Sequence, residues 1–331
     1  MTAAPHVFRR ILAVLDGEEG AEAQDRATVA AARRLAQRTG AALRLLSVVE
    51  PPRDLAALAQ LAGVSETEAE ARLIDTRRKT LSARAEGPSA DDVAVRAGKI
   101  FLEVIREAID WDADLVVKAA ERSPGLIGGL FASTDQHLLR KCPCPVWLTG
   151  PGQGAAGAGE PLRVVAAAVD VEAAGDKDAA ERMDGLNRRI VETAAAVAAA
   201  DGATLHLIHA WEAPAEGLVR RFAPKDVDVI AYSDGVERQH RRSLTALRRT
   251  AEAHQGLARI TNDLLRGPAR RVVPAHALEI GADLLVMGTI ARTGVPGFII
   301  GNTAEDILNS VRCAVLTVKP PGYRSPVADA G

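Results

Sequence analysis

Aromatic side chains are scarce in this chain of 331 residues, at 3% of the total. Alanine is abundant, and that combination favours helices packed on a sheet over an all-β core. Cysteine is scarcer still. Cys142, Cys144 and Cys313 are too few for a disulfide framework, so the cytosol is the expected compartment. The Cys142-Pro143-Cys144 spacing is too tight, and its ligands too few, for a zinc site; all three thiols are expected in the core. Neither charge sign dominates: 41 basic residues face 43 acidic ones. That balance argues against a nucleic-acid groove or an anionic membrane as the main partner. No apolar run approaches the roughly 18 residues of a membrane span. The chain reaches a strand-like run at Ile11 without an apolar leader segment, so no secretory signal is expected. Also missing are a Gly-x-Ser-x-Gly elbow, a Walker loop with its lysine and an obvious metal cluster. A non-enzymatic role without a metal of its own is expected.

What is present is organised around one stretch, Asp283 to Pro320. Leu284 to Met287 reads as a strand buried on both faces. Gly288-Thr289 ends it, and a loop follows in which Gly294, Pro296, Gly297 and Gly301 break any period. Asn302, with Glu305 three residues on, reads as a capping box that opens a helix. Ala314 to Val318 is a further strand. A strand, a glycine-rich loop and a helix N-terminus together suit an anion, because free amides and the positive end of the helix dipole converge there.

The same stretch occurs 169 residues earlier, from Asp112, without a gap. Ala113-Asp114-Leu115 falls on Ala282-Asp283-Leu284, Cys144 on Cys313, and Ser133 with Gln136 on Asn302 with Glu305. The glycines do not repeat, since Ala119 and Ala132 stand for Gly288 and Gly301. The architecture is duplicated and the candidate anion site is not.

Around each copy the order of elements also repeats. Arg10–Asp16, Leu43–Val49 and Val93–Arg96 read as strands, separated by helices near 21–37 and 65–85 and followed by one at 100–109. In the second half the strands are Arg163–Asp170, Leu205–Ala210 and Arg259–Arg266, with helices near 186–200, 236–254 and 272–280. Gly98 and Gly267 mark matching turns. A glycine/alanine-rich linker at 151–161 separates domains 1–150 and 162–320, and 321–331 is a tail. Alternating strands and helices with long crossovers imply an α/β fold: two tandem, doubly wound parallel sheets. Ligands of such sheets bind beyond the carboxyl ends of the strands, which places Asp16 or Asp170 and the loop after Met287 at the crevice.

These residues carry a family resemblance over nearly the whole chain. The strand-one aspartates, LNRRIVETAAAVAAADGATLHLIHAWEAP from Leu186, GNTAEDILNSVRCAVLTVKP from Gly301 and STDQHLLRKCPCPVW from Ser133 resemble universal stress protein domains in tandem, like the E-type members. The resemblance implies a Rossmann-like fold of the adenine-nucleotide hydrolase type, with five strands per half in the order 3-2-1-4-5. It also implies a cytoplasmic regulatory or protective protein. ATP-binding members carry glycine, two residues, glycine, nine residues, glycine and then serine or threonine. By position, Gly288 and Gly301 match the first and third glycines, Ala291 stands for the second, and Asn302 for the serine or threonine. Thr289, Arg292 and Thr303 complete the implied ATP or AMP site, with Asp170 near adenine or ribose and magnesium only as the nucleotide's companion. In the first half Ala119, Arg122 and Ala132 replace all three glycines, so no such site is expected there. What remains is filled by side chains or takes another ligand.

Blander readings stand beside these. An aspartate at a strand end is often a turn or helix cap. His206 and His209 sit on opposite faces of a strand and cannot chelate together; one is expected packed and the other exposed. His137 reads as solvated or capping. The alternatives to a nucleotide are a partly apolar small molecule, held by Phe298, Ile299 and Ile300 or by Leu126, Ile127 and Leu130, and a scaffold for an unknown protein partner. A slow ATPase ranks last. The final strand of each half, Val146–Leu148 and Val315–Val318, needs cover as a sheet edge. Pairing of the two edges would make the chain its own pseudo-dimer, with homodimerisation left open.

Overall fold

A computed structural model describes residues 8–84, 92–121, 131–150, 160–172, 177–213, 229–289 and 301–328. In the first half β1 (Arg10–Leu15), β2 (Ala42–Val49), β3 (Asp92–Ala97), β4 (Leu115–Ala119) and β5 (Val146–Thr149) alternate with five helices. These are α1 (Glu22–Thr39), α2 (Leu55–Leu61), α3 (Glu66–Arg84), α4 (Ile100–Asp110) and α5 (Ser133–Lys141). The second half holds β6 (Val164–Ala168), β7 (Thr204–Trp211), β8 (Arg259–Arg266), β9 (Leu284–Gly288) and β10 (Ala314–Val318). Its described helices are α6 (Lys177–Asp201), α7 (Val229–Glu252), α8 (Ala269–Glu279) and α9 (Asn302–Ser310).

All ten strands form one sheet, in the order β3-β2-β1-β4-β5-β10-β9-β6-β7-β8. Pairing is parallel within each half. It turns antiparallel at the middle, where Val315 lies opposite Leu148, Leu316 opposite Trp147 and Thr317 opposite Val146. The two exposed edges expected at β5 and β10 thus cover each other, and each half is the other's partner. Arg140 of α5 reaches Glu305 of α9 at 3.2 Å, and Arg34 of α1 reaches Asp201 of α6 at 3.3 Å, across the same seam.

Alternation along β1 explains the two core layers. Ile11, Ala13 and Leu15 face a cluster that includes α1 and α6, while Leu12 and Val14 face α4 and α5. Both clusters run through the seam, so no apolar boundary divides the halves. The three cysteines are buried in the second cluster, as small core residues.

The repeated Ala-Asp-Leu has a structural cause. Asp114 Oδ2 accepts the amides of Arg9 (2.7 Å) and Arg10 (3.0 Å), and Asp283 Oδ2 accepts those of Arg163 and Val164 at the same distances. Each aspartate fixes the start of strand one beside strand four. Gly98 and Gly267 also share a cause: both have positive φ, and a Cβ would meet Glu103 at 3.0 Å or Val272 at 2.9 Å.

Several expected boundaries shift. α2 escapes a periodicity reading because it is short. α6 begins at Lys177 rather than near 186, since its polar first turns carry little apolar period, and α7 begins at Val229 rather than near 236, with Gly235 inside the helix instead of before it. The predicted capping boxes at Ser133 and Asn302 do not form. Both residues are the first in their helices, and the N-caps are Ala132 and Gly301. The first helical bonds run from Gln136 N to Ala132 O (3.0 Å) and from Glu305 N to Gly301 O (2.9 Å). Both copies still start at the same point. Ser65 does cap α3, accepting from Glu68 N at 3.1 Å.

Candidate functional site

Parallel pairing brings the carboxyl ends of β6 and β9 together, in register from Val165 opposite Leu284 to Ala168 opposite Met287. Asp170 lies two residues beyond β6. Its Oδ1 accepts the amide of Glu172 at 3.2 Å, a local turn that Asp16 repeats with Glu18 at 3.3 Å. Asn187 of α6 holds the loop from beneath, accepting from Asp170 N (3.0 Å) and donating to Asp170 O (2.6 Å). Beside them His209 is buried, with Nδ1 3.1 Å from Val169 O and Nε2 3.0 Å from His240 Nδ1. Burial pushes its pKa below the ordinary histidine value.

Gly288 ends β9 with its α-carbon against α6. A Cβ there would lie 2.8 Å from Leu186 Cδ2 and 3.3 Å from Leu186 Cγ. A side chain here would therefore require Leu186 to shift, whatever binds above it. Thr289 is fully buried and accepts at Oγ1 from Lys319 Nζ (2.8 Å), while its carbonyl accepts from Gly301 N (3.1 Å). Its side chain therefore faces β10, and its main chain ties the loop ends together. Lys319 also donates to Leu139 O at 2.5 Å and Arg140 O at 3.3 Å, satisfying carbonyls at the end of first-half α5. Burial lowers its pKa to about 8. From Gly301 the chain enters α9, whose exposed first residues are Asn302 and Thr303. Gly301 offers no side chain to the first free amides. Ala291 and Arg292, with the loop 290–300 and its Phe298, Ile299 and Ile300, lie outside the described residues. So do Arg122, Leu126, Ile127 and Leu130.

The corresponding end of the first half is filled from within. Asp25 of α1 is buried and accepts from Asp16 N (2.9 Å), Gly17 N (3.0 Å) and Arg84 Nη1 (2.6 Å). Arg77 of α3 donates to Asp16 O and pairs with Glu18. Where the second half has Met287 and Ala304, the first has Lys118 and Asp135. Both are buried, 3.0 Å apart, with Glu121 closing on Lys118 at 2.5 Å. Asp135 Oδ2 also accepts Glu121 N at 2.6 Å. Burial opposes the Lys118 charge, but the two carboxylates outweigh it and hold its pKa above the ordinary lysine value. Side chains thus occupy this end, one of the two outcomes the residue pattern allowed.

Other expectations resolve in the same detail. His206 and His209 do face opposite ways: His209 joins His240, and His206 meets Asp263 at 2.6 Å, partly exposed. His137 is half-buried and caps no described helix end. It stacks on Phe101 with centroids 4.3 Å apart. Missed by the sequence reading were Lys319, Arg77, Arg84 and the Lys118–Asp135 pair. A lysine inside an apolar strand run, as at 118, was the available signal. A cleft of about 710 Å³ lined by residues including Asp112, Asp114, Arg189, Glu192 and Tyr323 lies at the opposite end of the first-half strands.

Parallel strands alternating with helices in each half define an α/β protein built on a mostly parallel sheet. The family model for the universal stress protein family matches residues 8–150 and 185–319, and the chain belongs to that family. Universal stress protein E of Escherichia coli K12 is 31% identical over 228 residues, covering 69% of this chain and 67% of that one. The universal stress protein E homolog of Haemophilus influenzae is 27% identical, covering 83% and 85%. Among solved structures, a functionally unknown protein from Pseudomonas aeruginosa PAO1 shares the fold over 95% of this chain and 94% of its own, with a TM-score of 0.62 and 24% identity. A universal stress protein from Archaeoglobus fulgidus does so over 94% and 98%, with a TM-score of 0.54 and 16% identity. No described helix is long and apolar enough to cross a membrane.

Proposed function

We propose that this tandem universal stress protein is a regulatory or protective binding protein that takes one adenine nucleotide, ATP or AMP, at the carboxyl edge of its second half. The carrying observation is the start of α9, where no described side chain caps the first amides and Gly301 N donates to Thr289 O, at the end of the strand that pairs with β6 before the Asp170 turn. A phosphate there would be met by main-chain N–H groups and the helix dipole. Asn302 and Thr303 are exposed at the same end and would add side-chain donors. Neutral Met287 and Ala304 stand where the first half has its Lys118–Asp135 pair, which leaves the second-half crevice to a ligand. Magnesium would enter only with the nucleotide, and catalysis is not part of the proposal.

Calorimetric titration with ATP and AMP tests it. One nucleotide per chain is expected, with binding lost in Gly301→Val and weakened in Asp170→Ala. Absence of binding to the wild-type protein would sink the reading and favour a non-nucleotide ligand or a protein-interaction role.

A further inference from the structure

A second cluster lies under α8 on the second-half sheet, toward the amino ends of the strands and away from their carboxyl edge. His206 of β7 stands opposite Thr261, and Asp263 of β8 stands opposite Ile208, so both side chains rise from the same face. α8 crosses this face and lowers His276 between them. His206 Nδ1 is 2.6 Å from Asp263 Oδ2, and His276 Nε2 is 2.9 Å from the same oxygen. All three donor atoms lie within 4.8 Å of one another. Each side chain is 17% exposed, shielded yet reachable from solvent. The other nitrogen of His276, Nδ1, is 3.3 Å from Glu279 Oε2. Carboxylate support behind an imidazole is the usual outer partner of a metal-binding histidine.

The first half shows what this position holds when it is only structural. By strand register and the 169-residue repeat, Arg44, Ala94 and Glu107 take the places of His206, Asp263 and His276. Arg44 Nη1 there donates to Glu107 Oε1 at 2.7 Å, and Arg44 also pairs with Asp92. Guanidinium cannot ligate a metal. The second half replaces it with two imidazoles and a carboxylate, a donor set that suits zinc. Tetrahedral zinc at its normal bond lengths would hold such atoms roughly 3.3 Å apart, within the range of separations seen.

We propose that His206, Asp263 and His276 form a binding site for one divalent first-row ion of the zinc class, with Glu279 orienting His276 and a water completing the shell. The ion would pin the edge strand β8 to β7 and α8. This site does not depend on the nucleotide reading, since His206 near the amino end of β7 and His276 in the last turn of α8 lie away from the carboxyl edge that holds Asp170 and Gly301.

The test is a titration of untagged, chelator-treated protein with Co(II), followed by Zn(II). One Co(II) per chain is expected, with the intense visible bands of a four- or five-coordinate ion, displaced by zinc. His276→Gln and Asp263→Asn should each weaken binding by more than about tenfold, and exposed Glu279→Gln, which spares the fold, by a smaller factor. His137→Gln, in the first half, should leave binding unchanged. Zinc should raise the thermal midpoint of the wild-type protein but not of His276→Gln. Failure to bind cobalt and zinc would overturn the proposal and leave a hydrogen-bonded His–Asp–His bridge. Binding that survives His276→Gln, or that disappears in His137→Gln, would overturn it equally.

Discussion

In the first half, the carboxyl end of the sheet is closed by charge: Arg77 and Arg84 come down from α3, and Lys118 and Asp135 meet beneath the loop. The second half builds the same strands, the same helix start and the same anchoring aspartate. There Asn187 takes the place of Asp25 against the strand-one loop, and Met287 and Ala304 take the places of Lys118 and Asp135. The difference shows how a duplicated fold can separate two tasks. Buried ions give one half rigid closure, whereas the other half places neutral Met287 and Ala304 at the same positions, and among the described residues neither helix start has a side-chain cap. The halves share one sheet and two continuous core layers, so closure in one can brace the other. Lys319 makes that link concrete by joining Thr289, at the second-half loop, to the last carbonyls of first-half α5.

The largest expected effect breaks the closure. Asp135→Ala strands Lys118, which is nearly inaccessible, with only the half-exposed Glu121 as a counter-charge. A loss of about 3 kcal/mol is expected in denaturant unfolding, with the midpoint falling at constant slope. An unchanged midpoint would mean the pair is not what closes the first half.

Next in size is a pH effect at the seam. Lys319 has its folded pKa lowered to about 8 from an ordinary 10.5 by burial. Between those values the unfolded chain binds more protons than the folded one, so stability contributed by this group rises with pH from about 8 to 10.5. Below about pH 8 the buried ammonium exerts its full cost, up to about 3 kcal/mol. Wild-type stability relative to Lys319→Met should therefore increase over that window. A difference flat in pH would show that the lysine is solvated.

A smaller effect separates packing from ligand binding at Gly288. Gly288→Ala should cost about 1–3 kcal/mol through overlap with Leu186, and little once Leu186→Ala makes room. An equal cost in both backgrounds would place the constraint elsewhere.

The fold was legible because its signals are periodic. Buried parallel strands read as short apolar runs, and β8 and β10 fall where the residues placed them. Repetition marked both the helix starts and the pairing edges. Legibility fails where contacts are long-range. Lys118 and Asp135 are separated by 17 residues, and His206, Asp263 and His276 by 57 and 13. No spacing rule joins residues that meet only through strand register and a helix crossing. Local reasoning also misassigned the caps, since a Ser or Asn followed by Gln or Glu looks the same whether it precedes the helix or begins it. Gly288 matched a phosphate-loop pattern for a reason that includes the bulk of Leu186, a contact invisible in one dimension.

Counting bound nucleotide tests the asymmetry of the halves most directly. ATP would be titrated into the wild-type protein and into Met287→Lys/Ala304→Asp, which transplants the first half's ion pair into the second. One nucleotide per wild-type chain, lost in the transplant while the fold is retained, is the predicted result. Two nucleotides per chain, or binding undiminished by the transplant, would contradict it.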